Sequence, residues 1–256
     1  MKHPIVLIHG LFGNLSEQKI ITAFGNAAVY APDLLGYGQF KQADLSSLTL
    51  ADQANHIARF IETHQLGAVH LVGHSVGGAV AVLVASLYPH LAASLTSVEG
   101  NFTLKDAFWS GQLAKMPLAE VEEIISGYAK DPTAWITKAG VQPSAWATQL
   151  ATCWLSNQPA STIKAQAKAV VEATEVASYL ETVKQIIHNG LAVNLIAGAR
   201  SVEGWDVPVW AYRLATMKLN LPNTGHLLMA EAPEQFAQVV LMCAKYAESL
   251  QNYQTT

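Results

Sequence analysis

The sequence predicts an α/β fold in which helices cover both faces of a mostly parallel sheet of about six strands. Short, continuously apolar runs such as Ile5-Val6-Leu7-Ile8 are typical of strands that are buried on both faces. Segments with helical spacing alternate with these runs. Of the 256 residues, 51% are hydrophobic and only 13% are charged, which suits a sheet that is covered on both sides.

The composition also narrows the class of protein. A net charge of −4 provides no basic surface, so nucleic acid is not expected as a partner. Cys153 and Cys243 lie far apart and form no C-x-x-C pair, so we expect two buried thiols and neither a metal site nor a disulfide. The run at residues 5–8 is too short for the core of a signal peptide, and no stretch reaches the length of a membrane span. A cytoplasmic protein is therefore expected.

The first part of the chain alternates strand and helix signals. Thr49, with Asp52 three residues later, is typical of a helix N-terminus, and Gly67 follows the expected end of that helix. The predicted elements are strands over 4–8 and 28–32 and helices over 15–24 and 50–64.

The stretch over 69–81 carries the strongest chemical signal. Strand-like residues lead into Gly73-His74-Ser75-Val76-Gly77, a G-x-S-x-G match, and a helical run to about Tyr88 follows. Side chains at either glycine would collide with neighbouring backbone, and Ser75 must accept an unfavourable backbone conformation. Taken alone, the pattern is also that of a simple turn, but these flanks favour a serine held at the tip of a strand.

This stretch resembles the nucleophile elbow of the α/β-hydrolase family, whose members carry nucleophile, acid and histidine in that order. The loop Pro32-Asp33-Leu34-Leu35-Gly36-Tyr37-Gly38 is similar to the equivalent loop of many esterases. Family members usually begin with a two-strand hairpin, whereas only three residues precede Pro4. The resemblance therefore implies a shortened sheet or a lost N-terminus, with an exposed sheet edge as a candidate association surface.

The segment His9-Gly10-Leu11-Phe12-Gly13 follows the first predicted strand. In the family, an H-G-x loop at this point donates one backbone N–H to an oxyanion hole, and the residue after the nucleophile donates the other. The resemblance assigns these donors to Leu11 and Val76. Fixed N–H dipoles suit this role because they stabilise charge on a carbonyl oxygen without reorganising.

A serine nucleophile needs a general base, and an imidazole can accept its proton and later return it. Of nine histidines, His226 follows the last predicted strand, where the family carries its base. His9 and His74 are expected to be structural, with His74 pointing off the other side of the corner from Ser75. The remaining predicted elements are strands over 94–98, 192–199 and 217–221, a short element over 207–212 and a helix over 231–250.

The acid has two candidate positions. Most family members carry it three residues past a glycine after the penultimate strand, where this chain has Ser201. Some haloalkane dehalogenases carry it after the strand that follows the elbow helix, where this chain has Glu99. Glu99 is the favoured acid, although it could instead brace the neighbouring segment. Glu203 and Asp206 stay open as alternatives.

Residues 101–190 interrupt the strand and helix alternation with helical segments separated by prolines. In the family, this is where a cap is inserted, so we expect a core over 1–100 and 191–256 and a helical cap between them. Aromatic side chains in a cap would make the pocket below it apolar, or would pack only the cap's own core. Four of the six tryptophans lie in this segment: Trp109, Trp135, Trp146 and Trp154.

The resemblance implies a cofactor-free serine hydrolase that cleaves carboxylic esters of apolar character. Serine at the elbow argues against dehalogenase or epoxide hydrolase chemistry, which needs a carboxylate nucleophile. C–C hydrolases, lactonases and acyltransferases share the same constellation and stay open as alternatives. A small-molecule binding protein with a retained hydrolase pocket is an alternative of another class. The oligomeric state is not predicted.

Overall fold

A computed structural model describes residues 1–254, without the side chains of 108 and 252–254. Its sheet has six strands, all parallel, in the order β2-β1-β3-β4-β5-β6, which confirms the predicted architecture. The strands are β1 (Ile5–Ile8), β2 (Val29–Tyr30), β3 (Val69–His74), β4 (Ala92–Val98), β5 (Val193–Gly198) and β6 (Met217–Leu221).

The two edge strands differ in how well they were predicted. Strand β6 has the predicted bounds, whereas β2 pairs with β1 only at Val29 and Tyr30. An edge strand has one neighbour, and Pro32 has no N–H to extend the pairing. The prediction of a strand over 28–32 was therefore too long.

Helices cover the sheet and fill the connections between its strands. They are α1 (Gln18–Thr22), α2 (Leu50–Thr63), α3 (Val76–Leu87), α4 (Phe108–Lys115), α5 (Leu118–Lys130), α6 (Pro132–Lys138), α7 (Ala145–Ser156), α8 (Ala160–Thr174), α9 (Ala177–His188), α10 (Val209–Leu214), α11 (Leu228–Glu231) and α12 (Pro233–Gln254).

The start of helix α2 was predicted correctly, whereas helix α1 was predicted too long. Helix α2 begins at the predicted capping box, in which the Asp52 N–H donates to Thr49 Oγ1 at 3.2 Å and the Thr49 N–H donates to Asp52 Oδ2 at 2.9 Å. Helix α1 has only five residues, although a helix over 15–24 was predicted. Leu15 and Phe24 are buried outside it, so their spacing reflects packing rather than helix.

The core lies on both faces of the sheet because successive strand residues point to opposite sides. Val6 and Ile8 pack in the cluster that includes residues of α2, α3 and α9. Ile5 and Leu7 pack with α1 and α12 on the other face. This confirms that the central strands are buried on both sides.

Helices α4 to α9 lie between β4 and β5 in the chain, in the segment for which the sequence predicts a cap. Helices α4 and α5 pack against α8, and α6 packs against α7, while α9 packs against α3 beside the sheet.

In residues 1–254, no helix is both long enough and apolar enough to span a membrane. Both cysteines are free; Cys243 is buried, whereas Cys153 is partly exposed, so the prediction of a buried thiol was wrong there.

Candidate active site

Ser75 occupies a sharp corner between β3 and α3, with φ 53° and ψ −123°. A Cβ at Gly73 would lie 2.2 Å from the carbonyl oxygen of Gly77, and a Cβ at Gly77 would lie 2.2 Å from that of Ile8. Both glycines are therefore required by the close approach of the backbone. The positive φ of a non-glycine residue costs free energy, and the surrounding packing holds Ser75 in this conformation.

Glu99 and His226 come together at the carboxyl end of the sheet. The distance from His226 Nδ1 to Glu99 Oε2 is 2.8 Å. The Glu99 side chain is only 5% exposed, whereas that of His226 is 43% exposed. The other carboxylate oxygen, Oε1, accepts hydrogen bonds from the Gly198 N–H at 2.7 Å and from Ser201 Oγ at 2.5 Å. Three donors thus hold this carboxylate in place.

The surroundings of Glu99 favour its charged form. Burial acts to raise its pKa, but the hydrogen bond and charge of His226, with the hydrogen bonds from Ser201 and Gly198, hold the pKa below the usual value. An ionised Glu99 accepts the N–H at Nδ1 of His226. The Nε2 atom of a neutral His226 is then free to accept a proton.

The alternative acids lie elsewhere. Asp206 accepts hydrogen bonds from Thr103 Oγ1 at 2.7 Å and from Lys105 Nζ at 3.4 Å. Glu203 is exposed on a short 3-10 turn. Among the described residues, neither carboxylate contacts His226. Ser201, at the position where most family members carry the acid, instead donates a hydrogen bond to Glu99.

Backbone hydrogen bonds place Ser75 beside Glu99. The Ser75 N–H donates to the carbonyl of Val98 at 3.0 Å, and the Asn101 N–H donates to the carbonyl of Ser75 at 3.2 Å. Within residues 1–254, the hydroxyl of Ser75 makes no hydrogen bond to His226. Such bonds are often long in a free enzyme and tighten when substrate binds.

His74 supports the loop that carries His226. Its Nε2–H donates to the carbonyl of His226 at 2.9 Å, and the centroids of the two imidazole rings are 4.6 Å apart. The expectation that His74 turns away from the site was therefore wrong. No sequence signal pairs these two residues, because their contact depends on how β3 and the loop after β6 meet.

His9 fixes the loop that follows β1. Its Nε2 accepts the Leu34 N–H at 3.1 Å, and its Nδ1–H donates to the carbonyl of Gly10 at 2.9 Å. Tyr37 Oη donates to the carbonyl of Leu11 at 2.8 Å. The loop lies against the corner, since a Cβ at Gly10 would be 3.1 Å from Ser75 Cβ.

The two backbone donors that the sequence assigns to an oxyanion hole have no partner among the described residues. The N–H groups of Leu11 and Val76 donate no hydrogen bond to any other described residue. Val76 is the first residue of α3, so its N–H also carries part of the positive end of the helix dipole. Both groups are available to an acceptor that is not part of the chain.

Aromatic side chains pack next to the same loop. The ring of Phe12 stacks on Trp109 with centroids 4.9 Å apart, and lies 5.5 Å from Trp135 and 6.5 Å from Tyr128. We call these four residues the aromatic cluster. The other two tryptophans named above have different contacts. Trp154 packs on Gly13, and Trp146 donates its N–H to the carbonyl of Ala230 at 3.0 Å.

In the described part of the chain, no group of three or more His, Cys, Asp or Glu side chains could hold a metal ion.

Burial makes His9 and His74 sensitive to acid. It lowers the pKa of His9 to about 4 and that of His74 to about 3, against an ordinary value of 6.5. Below pH 6.5 the unfolded chain takes up protons at these positions, while the folded chain does not until its own pKa values are reached. The free energy of unfolding should therefore fall as the pH falls from 6.5 towards 4.

Urea unfolding at intervals between pH 7 and pH 5 measures this dependence above the range in which most carboxylates titrate. His74→Asn should reduce the slope of this pH dependence by up to about 1.4 kcal/mol per pH unit, because asparagine does not titrate. Equal slopes in His74→Asn and the parent would contradict this account of His74.

Residues 5–239 match the model of the alpha/beta hydrolase family. The chain belongs to this family. It is 32% identical over 109 residues to ethanol acetyltransferase 1 of Cyberlindnera fabianii, an alignment that covers 41% of this chain and 32% of that protein. The first curated relatives found are aligned over only about a third of their length.

Solved structures confirm the fold. A lipase described as putative, from Acinetobacter baumannii, superposes with a TM-score of 0.73 at 23% identity, covering 96% of this chain and 85% of that one. A carboxylesterase from the thaumarchaeon Nitrososphaera gargenis gives a TM-score of 0.70 at 16% identity, covering 96% and 91%. At these identities the likeness shows a common fold.

Proposed function

We propose that this protein is a serine hydrolase that cleaves carboxylic esters through an acyl-enzyme. The observation that carries the proposal is the 2.8 Å contact between His226 and the buried Glu99, beside a serine held at a strained corner. A histidine oriented by a carboxylate can activate a neighbouring hydroxyl. Neighbours of the same fold that are described as a lipase and as a carboxylesterase agree with this choice.

In the first half of the proposed reaction, Ser75 Oγ attacks the ester carbonyl carbon while His226 Nε2 takes the hydroxyl proton. The carbonyl oxygen becomes an oxyanion and accepts hydrogen bonds from the free N–H groups of Leu11 and Val76. Glu99 stabilises the imidazolium that forms. Collapse of the tetrahedral intermediate breaks the bond to the alcohol oxygen, which receives the proton from His226.

In the second half, a water molecule takes the place of the alcohol. His226 removes a proton from this water, whose oxygen attacks the acyl carbon, and the same two N–H groups hold the new oxyanion. Ser75 leaves with the proton from His226, and the carboxylic acid is released. The 43% exposure of the His226 side chain gives water access to this base.

Acyl transfer to an alcohol is the second candidate. It is favoured by the likeness to an ethanol acetyltransferase and uses the same acyl-enzyme. Measuring acid and ester products from p-nitrophenyl acetate in the presence of added ethanol separates the two. A hydrolase yields mainly acetate, whereas an acetyltransferase yields mainly ethyl acetate when ethanol is dilute compared with water.

The aromatic cluster predicts a preference for larger apolar esters. If it lines the pocket, kcat/KM for p-nitrophenyl esters should rise from acetate until the pocket is full, by about fourfold per buried methylene, which corresponds to about 0.8 kcal/mol. Trp109→Ala should flatten this rise because it removes the ring stacked on Phe12. The matched control is Trp210→Ala, on α10 beneath the Lys184 ammonium.

The chain-length profile distinguishes pocket lining from mere packing. Trp210→Ala should keep the profile of the parent even if it is less stable. A profile that is flat in the parent, or unchanged by Trp109→Ala, would show that the cluster only packs against itself. Tight ligand binding by a parent without turnover would favour a binding protein instead.

A further inference from the structure

The turn between α7 and α8 binds Gly13, which lies in the loop that follows β1. Gln158 Oε1 accepts the Gly13 N–H at 3.1 Å. Asn157 Nδ2 donates to the carbonyl of Gly13 at 3.1 Å. Both polar groups of Gly13 are therefore held by two neighbouring side chains from a distant part of the sequence.

The amide of Gln158 is itself fixed. Its Nε2 donates to the carbonyl of Trp154 at 2.9 Å, which turns Oε1 towards Gly13. Gln158 is 4% exposed, so its hydrogen bonds have little competition from water. The indole of Trp154 covers Gly13 so closely that a Cβ at Gly13 would lie 2.2 Å from its Cγ.

The same turn also holds residues 33–38, which support the loop after β1 through the Tyr37 hydroxyl. Asn157 Nδ2 donates to Asp33 Oδ1 at 3.1 Å, and the Gly38 N–H donates to the carbonyl of Asn157 at 2.8 Å. Residues 33–38 include Tyr37, whose hydroxyl binds the carbonyl of Leu11. Leu11 thus lies in a loop that is held at two points, by Gly13 and by Tyr37, and the α7–α8 turn bonds to Gly13 and to the segment that carries Tyr37.

We propose that Gln158 is a positioning residue for the oxyanion hole, acting through Gly13 on the N–H of Leu11. The inference rests on the proposed function. A donor to a developing oxyanion must be placed accurately, since an error of about 1 Å can cost about 100-fold in rate. The Gln158 side chain bonds to Gly13 and to Trp154, and not to the reacting atoms. Consequently, the hole is complete only when the α7–α8 turn is docked on this loop.

Gln158→Leu tests the proposal with a p-nitrophenyl ester and a trifluoromethyl ketone of matching chain length. We expect kcat to fall about 10- to 100-fold with KM within about threefold. The inhibition constant of the ketone should rise by a similar factor, because its adduct with Ser75 places an oxyanion in the hole, whereas the ground-state ester does not.

Gln166→Leu is the matched control. Gln166 is a fully buried amide on α8 that bridges to α2 through Gln53, at 2.7 Å, without contacting Gly13. It should lower the melting temperature but leave kcat and ketone affinity within about threefold of the parent. If Gln158→Leu does not fold, Asn157→Ala, at a partly exposed position, takes its place with the same expected result.

The outcomes separate the two proposals. An active parent whose folded variant keeps its kcat and ketone affinity would overturn the positioning role alone. Equal losses in Gln166→Leu would overturn it too, since any buried amide in this segment would then matter. A parent with no Ser75-dependent turnover would remove the proposed function and this inference with it.

Discussion

Ser75→Ala should reduce ester hydrolysis by at least about 10⁴-fold and abolish labelling by a fluorophosphonate probe. The hydroxyl of Ser75 is the attacking atom of the proposed reaction. Its loss should leave the melting temperature nearly unchanged, because the hydroxyl makes no hydrogen bond to another described residue and alanine accepts the same backbone strain. Initial rates, probe labelling and thermal unfolding measure these three effects.

Ser46→Ala is the control for this variant. Ser46 is exposed near the start of α2 and should keep full activity and labelling when replaced. Hydrolysis that persists in Ser75→Ala at a rate close to that of the parent would rule out Ser75 as the nucleophile.

Glu99→Gln should lower kcat by at least about 100-fold. The Gly198 N–H and the Ser201 hydroxyl would keep the amide oxygen at the present position of Oε1, which turns the NH₂ group towards His226 Nδ1. Nδ1 would then have to accept a hydrogen bond, so the ring proton would move to Nε2, the atom that must take the proton of Ser75. The imidazolium that forms at His226 during the reaction would also lose the negative charge of Glu99 that stabilises it.

Glu203→Gln and Asp206→Asn are the matched controls and should stay within a few-fold of the parent. Asp206 contacts Thr103 and Lys105 rather than His226. A large loss of kcat in either control, with Glu99→Gln near normal, would return the acid to the loop after β5. A Glu99→Gln variant that is mainly less stable, with normal kcat, would make Glu99 a brace.

Much of the fold could be predicted because its signals are local. The apolar runs of the central strands, the capping box of α2 and the glycines around Ser75 each depend on residues close in sequence. Helix α11 and the short α1 were not predicted correctly, since tertiary packing and not local propensity decides such short helices.

The candidate site was less predictable where contacts join distant segments. The sequence marked Ser75 and His226 by motif, but it left the acid open between β4 and the loop after β5. The contact of Glu99 with His226 and Ser201 depends on the parallel pairing of β4 with β5. The support given to the loop after β1 by the α7–α8 turn had no sequence signal at all.

The position of the covalent acyl group tests the central claim most directly. Rapid acid quenching of the protein during turnover of a slowly hydrolysed p-nitrophenyl ester, followed by peptide mass spectrometry, locates this group. The acyl mass should appear on the peptide that contains Ser75, and it should be absent in Ser75→Ala. Hydrolysis without any acylated peptide, or an acyl group on another residue that accumulates at the rate of turnover, would contradict the account.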